Sequence, residues 1–221
     1  KQPDARVRRQ VVTDVGSFYN PAALATVKKS LAGEKNPAVR AAAIRALSGF
    51  DDAGADGLVR KALGSTSFRH QLADAAVEAL RKQDDPGNIA PLLKALQTDS
   101  RKFTKRGFGS GMKALAYLAR NEEDKAKPRR FLLDRVNHLN PRIRLAAIES
   151  LGQLGDPKAI AVLEKFAVGG EGTPERKNAE AAIAKLRAAR KPVDDFKNLR
   201  KEVIDLKKAN QDLGKELEEL K

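Results

Sequence analysis

The chain has 221 residues, carries 43 Lys and Arg against 29 Asp and Glu for a formal charge of +14, and contains neither Cys nor Trp. Without cysteine it has no disulfide, no thiol nucleophile and no thiolate metal ligand, and no apolar run approaches the roughly 18 residues that a membrane span needs. The length supports a substantial core, and the spacing of the apolar residues decides how that core is laid out.

Along the chain, pairs of large apolar residues three apart recur as Val12/Val15, Ile44/Leu47, Val77/Leu80, Leu115/Leu118, Ile148/Leu151 and Ile183/Leu186, at intervals of 32, 33, 38, 33 and 35 residues. A period of this size predicts stacked supersecondary units, none of which buries its apolar face without a neighbour. Leu24/Val27/Leu31, Ile89/Leu92/Leu96 and Ile160/Leu163/Ala167 follow their anchors at matching offsets, and spacings of three and four place each trio on one helical face. Breakers such as Asp84-Asp85-Pro86-Gly87 and Gly155-Asp156-Pro157 separate the two halves, with Asp as cap and Pro at the first helical position. Asn36-Pro37, Asn140-Pro141 and Thr173-Pro174 open the first helices of repeats two, five and six. Each unit therefore reads as helix, turn, helix. Ala43, Ala76, Ala114, Ala147 and Ala182 precede the anchors of repeats two to six, where a small side chain lets helix axes approach; Val11 holds that place in the first.

The stretches Asn36-Pro-Ala-Val-Arg-Ala-Ala-Ala-Ile-Arg-Ala-Leu47 and Asn140-Pro-Arg-Ile-Arg-Leu-Ala-Ala-Ile-Glu-Ser-Leu-Gly-Gln-Leu-Gly-Asp-Pro-Lys-Ala-Ile160 resemble HEAT repeats, in particular their phycobilisome-lyase-like branch. The resemblance spans roughly residues 3 to 190. It is weakest in repeats three and four, which lack the Val/Ile-Arg pair and contain an insertion. It implies an all-α fold, a right-handed superhelix of helical hairpins whose second helices line a concave binding surface, and no activity as such. The expected organisation is five full repeats and a half-repeat over residues 1–190, followed by a coiled coil over 191–221.

The charge is concentrated. Residues 101–144 hold 13 basic and 4 acidic side chains, nine of the fourteen excess positive charges. Arg101, Lys102, Lys105, Arg106, Lys113, Arg129, Arg130 and Arg135 form a candidate patch for an anionic partner: nucleic acid, an acidic protein or a membrane surface. The alternative is a solvated face that keeps the chain soluble. Within this region Arg106-Gly-Phe-Gly-Ser-Gly-Met-Lys113 is expected to be a bent or mobile connection before the first helix of repeat four; it lacks the spacing of a phosphate loop or dinucleotide fingerprint.

The two histidines, His70 and His138, lie two repeats apart with no H-E-x-x-H around them, so neither a zinc site nor a nucleophile-base pair is legible, and no catalytic residue, metal or other cofactor is expected. Some DNA glycosylases for alkylated purines are built from HEAT-like repeats and are similarly basic. That resemblance implies aromatic stacking of a base, for which this chain offers two Tyr, eight Phe and no Trp.

After Lys191-Pro192 the period changes to seven, with Phe196, Val203, Asn210 and Leu217 at a and Leu199, Leu206, Leu213 and Leu220 at d. This pattern predicts a parallel two-stranded coiled coil, and hence a homodimer through residues 192–221. Asp195, Glu202 and Glu216 at g face Arg200, Lys207 and Lys221 at e of the partner. Gly214 and the out-of-seam Ile204 weigh against it, and the alternative is an amphipathic helix folded back to cap the last repeat. The irregular units with the tail Phe196-Lys-Asn-Leu-Arg-Lys-Glu-Val203 are similar in organisation to the C-terminal extension of bacterial zinc aminopeptidases of the membrane alanyl aminopeptidase family. That similarity implies a catalytic domain upstream of Lys1, a bacterial cytoplasmic or periplasmic setting, and a non-catalytic role for this part. None of the family's catalytic motifs is present. The expected role is binding and scaffolding, with nucleic-acid binding through repeat four as the alternative.

Overall fold

A computed structural model describes residues 2–98, 100–188 and 194–219, with the side chains of the last stretch described only for residues 200–210, 212 and 213. All regular structure among the described residues is helical. Five hairpins follow one another: α1 (Ala5–Gly16) with α2 (Pro21–Gly33), α3 (Pro37–Leu47) with α4 (Ala53–Ala62), α5 (Gln71–Gln83) with α6 (Ile89–Thr98), α7 (Lys105–Ala119) with α8 (Ala126–Leu133), and α9 (Pro141–Leu154) with α10 (Ile160–Ala167). Then come α11 (Pro174–Ala188) and α12 (Asp194–Glu219).

Starts are set by side-chain caps. Asn36 accepts from Ala38 N at 2.9 Å and Asn140 from Arg142 N at 3.1 Å, each followed by Pro at the first helical position, where its missing N–H costs nothing. At the inner turns Asp85 and Asp156 cap short 3-10 turns, Pro86–Asn88 and Pro157–Ala159, which lead into α6 and α10. The Pro predicted to open these second helices opens a 3-10 turn instead.

The anchors form one continuous core. Ile44, Leu47, Val77, Leu80, Leu115, Leu118, Ile148 and Leu151 are all at most 1% exposed, as are the alanines at 43, 76, 114 and 147. Burying each Leu or Ile contributes about 1.5–3 kcal/mol. The small residues let α1, α3, α5, α7, α9 and α11 pack each against the next, whereas each second helix of a hairpin packs chiefly on the first helix of the following repeat.

Polar side chains tie successive repeats together at equivalent places. Lys28 of α2 pairs with the cap Asp52 at 2.6 Å, Arg60 of α4 with the cap Asp85 and with Asn88, and Arg129 of α8 with the cap Asp156. Each such Asp thus satisfies its own helix N-terminus and a cation of the preceding repeat. A second series starts from the first helices: Arg8 reaches Glu34 at 2.7 Å and Arg144 reaches Glu175 at 2.5 Å, both at the entry to the next repeat.

The glycine-rich stretch is not a loop. Gly107, Gly109 and Gly111 lie inside α7, which Thr104 caps by accepting from Gly107 N at 2.8 Å. A β-carbon on Gly107 would sit 1.7 Å from Asp74 Oδ1, and one on Gly111 would sit 2.7 Å from Leu96 Cδ2. The glycines are contact points at which α5 and α6 press against α7, and close packing outweighs the helix cost of about 1 kcal/mol apiece. The extra residues behind the 38-residue interval form a 3-10 turn, Ser100–Lys102, and Phe103, which is 5% exposed and packs edge-on against Phe108.

Candidate functional site

The inner turns of the hairpins line up along one edge of the stack, and in repeats two to four they are acidic: Asp51-Asp52, Asp84-Asp85 and Glu122-Glu123-Asp124. Asp84 ends α5 in the left-handed conformation at φ 48°, which turns its carbonyl away from the helix. Its carboxylate accepts two bonds from Arg120, at 2.8 and 2.7 Å. Arg120 in turn lies 3.7 Å from the centre of the Tyr117 ring, with Arg81 at 5.2 Å from the same ring.

Onto this edge comes α12. Arg200 donates to Asp84 O at 2.6 and 3.2 Å, to Asp84 Oδ1 at 3.2 Å and to Leu118 O at 3.3 Å, and stands 3.5 Å from Glu122 Oε1. Its side chain is 14% exposed. The contacts lie at repeats three and four, so α12 does not cap the last repeat as the fold-back alternative supposed. Beneath the next turns of the helix lies a cavity of about 700 Å³. Its floor includes Phe50, Asp56, Gln83 and Asp85, and its roof Val203, Ile204, Lys207 and Lys208.

The predicted seam is divided by this arrangement. Val203 lines the cavity while remaining 46% exposed; Leu206 and Leu213 are 59% and 55% exposed, and Asn210 is exposed. Phe196, Leu199 and Leu217 fall within α12, but their side chains lie outside the described set, and Leu220 lies outside the described residues. Arg200, expected to pair with an acid on a partner helix, is bonded within its own chain.

Three members of the basic patch are engaged within the chain. Lys113 pairs with Glu149 at 2.6 Å across α7 and α9, and Arg129 belongs to the cap series on the turn edge. Arg135 stacks 3.6 Å above Phe131, donates to Phe131 O and is half-buried, which pulls its guanidinium below its usual range. Arg101 and Lys102 lie in the 3-10 turn before α7, Lys105 and Arg106 are exposed in the first turn of α7, and Arg130 is exposed on α8.

The histidines stay apart. His138 Nδ1 accepts from Asn140 N at 2.9 Å, a turn contact, and His70 sits in the left-handed region with Nδ1 buried and unbonded. No group of three or more potential metal ligands occurs among the described residues. Asp74 accepts from Thr104 Oγ1 at 2.8 Å while its other oxygen is buried without a partner against Gly107, and burial holds its carboxyl above the usual range.

Sequence reasoning missed the acidic edge. Its signal was the recurrence of acids at the anchor period: Asp51-Asp52 and Asp84-Asp85 are 33 residues apart, and Glu122 follows Asp84 by 38, the same two intervals that separate the corresponding anchors.

The stack is similar to known repeat structures. It matches one chain of the complex of CpcE and CpcF of phycocyanin lyase from Nostoc sp. with TM-score 0.53 and 18% identity, over 84% of this chain and 73% of that one. An engineered protein matches at TM-score 0.54 and 16% identity, over 85% and 93% of the two chains. A designed armadillo repeat protein matches at 0.52 and 18%, over 84% and 96%. No curated protein matches the sequence. The family model of HEAT repeats matches residues 1–72 and 111–184, leaving out the stretch that carries the lengthened repeat. The chain belongs to the HEAT-repeat family.

Proposed function

We propose that this chain is a non-catalytic scaffold that binds protein partners, with residues 1–190 as the binding solenoid and residues 191–221 as a separate helical device. The observation that carries the reading is that the solenoid already holds a helix across its edge, through Arg200 on acceptors from repeats three and four. Its other polar side chains serve mainly to join repeats, as in Arg8–Glu34, Arg129–Asp156 and Arg144–Glu175. A similar fold in the Nostoc phycocyanin lyase structure is found in a complex of two chains, which favours a protein partner here as well.

Binding of nucleic acid through repeat four has less behind it. Lys113 and Arg129 are paired, Arg135 is stacked, and Phe103, Phe108 and Phe131 are in the core instead of forming a platform for a base. A parent metallo-aminopeptidase rests on the organisation of the tail alone, and the scaffold reading does not depend on it. Homodimerisation through residues 192–221 is a second use of α12, open when Val203 leaves the turn edge.

The test is affinity capture by the full chain from nuclease-treated extract of its source organism, compared with Arg142→Glu, which reverses an exposed charge in the first turn of α9. The reading expects protein partners, some lost with the variant. If nuclease treatment abolishes all capture, the reading is wrong.

A further inference from the structure

Arg200, Val203, Ile204, Lys207 and Lys208 recur at spacings of three and four, so they share one face of α12, and all five border the cavity on the turn edge. Ile204, the residue that does not belong in a heptad seam, belongs to this face. Only Val203 is common to both, so the helix has a groove face and a seam face at an angle to each other. Opposite the groove face lie Asp51, Asp56, Asp84 and Asp85. In a chain of formal charge +14 these four carboxylates outnumber the one cation that the solenoid adds to the same lining, Arg120.

The fit is incomplete. One arginine supplies the described hydrogen bonds of α12 to the solenoid, the apolar side chains above the cavity leave about 700 Å³ unfilled, and among the described residues neither Lys207 nor Lys208 forms an ion pair. Two lysines thus face carboxylates across open space. A helix with the same charges and bulkier apolar residues at the places of Val203 and Ile204 would fill that space and bury more apolar surface.

We propose that the acidic edge of repeats two to four is a docking site for an amphipathic helix of a protein partner that presents a basic face, and that α12 holds this site in cis as a displaceable occupant. The proposal deepens the scaffold reading by naming its site and the chemistry of its ligand. Displacement of α12 also frees Val203 to join Leu206 and Leu213 in the seam, so that occupying the edge in trans exposes a complete pairing face.

The experiment titrates a fluorescent peptide of residues 194–219 into the full chain and into the full-length variant Arg200→Glu, whose own helix no longer holds the edge. The peptide is expected to bind the variant at least about tenfold more tightly, because a site occupied in cis is discounted by its free fraction, and the affinity is expected to fall as salt rises. Adding Asp84→Asn and Glu122→Gln to the variant is expected to remove binding; Asn tolerates the left-handed conformation at position 84. Should Arg200→Glu prove unstable, Lys207→Glu with Lys208→Glu, both exposed, serves as the releasing variant. Equal binding to the parent chain and the released variant overturns the proposal. So does binding that survives the Asp84→Asn, Glu122→Gln changes, since the peptide is then pairing with the freed seam. Extract capture plays no part in this titration, so the absence of a cellular partner would count against the scaffold reading and leave the edge assignment intact.

Discussion

Asp84 and Arg200, 116 residues apart, share three hydrogen bonds, two to the Asp84 carbonyl and one to its carboxylate. The left-handed turn at Asp84 makes this possible by freeing a carbonyl that a continuing helix would use, and Arg120 holds the carboxylate from the other side. Replacing Asp84 by Gly relieves the backbone but removes the carboxylate from both arginines. Thermal melts are expected to show little change or a modest loss for Asp84→Gly, while amide exchange in α12 rises clearly. Unchanged exchange would mean that the carbonyl alone holds the helix.

Gly107 and Gly57 make opposite predictions although both are helical. Nothing lies within 4 Å of a β-carbon on the exposed Gly57, so Gly57→Ala is expected to stabilise by about 0.5–1 kcal/mol through helix propensity. Gly107→Ala collides with Asp74 and is expected to cost about 1–3 kcal/mol. Denaturant midpoints of the two variants give the comparison, and two shifts of the same sign would contradict the packing of α5 on α7.

The cap series predicts unequal costs for removing two aspartates. Asp156→Ala strips a cap and leaves Arg129, 20% exposed, without its partner, for an expected loss of about 3 kcal/mol or more. Asp4→Ala removes a cap whose partner Arg6 is 86% exposed, for a clearly smaller loss. Urea titration separates them; equal losses would show that Arg129–Asp156 does not hold repeats four and five together.

Acid should loosen the first junction early. The Arg8 guanidinium, helped by the Asn36 and Lys35 amides, holds Glu34 down at about 2 from an ordinary 4.5. A carboxyl lowered on folding stabilises fully above its unfolded value and loses that contribution as pH falls from about 4.5 to about 2. Melts of the parent chain and Glu34→Gln should therefore differ at pH 7 and converge near pH 2. A constant difference over that range would exclude the linkage.

The repeat was legible because burial at the anchors follows directly from apolar spacing: every anchor pair from Ile44/Leu47 to Ile183/Leu186 is in the core. The Asn-Pro and Asp-Pro caps were legible for the same local reason. The glycines of α7 were misread because glycine marks a turn when judged by its neighbours in sequence, whereas here its value lies in what Asp74 and Leu96 do from other helices. The acidic edge was overlooked because each acid pair looks like an ordinary turn, and only the stacking of turns sums them into a surface. In α12 the heptad spacing was visible, but the competing face through Arg200 and Ile204 needs the edge beside it to acquire meaning.

The most direct measurement uses the absence of cysteine, which lets two introduced thiols carry nitroxide labels without interference. With Lys61→Cys on the exposed part of α4 and Glu202→Cys on the outer side of α12, pulsed dipolar spectroscopy reports whether the helix lies on the edge. The account predicts a single narrow distance distribution that survives dilution with unlabelled chain and broadens when Arg200→Glu is added. A broad distribution in the parent chain, or one that disappears on dilution, would contradict it.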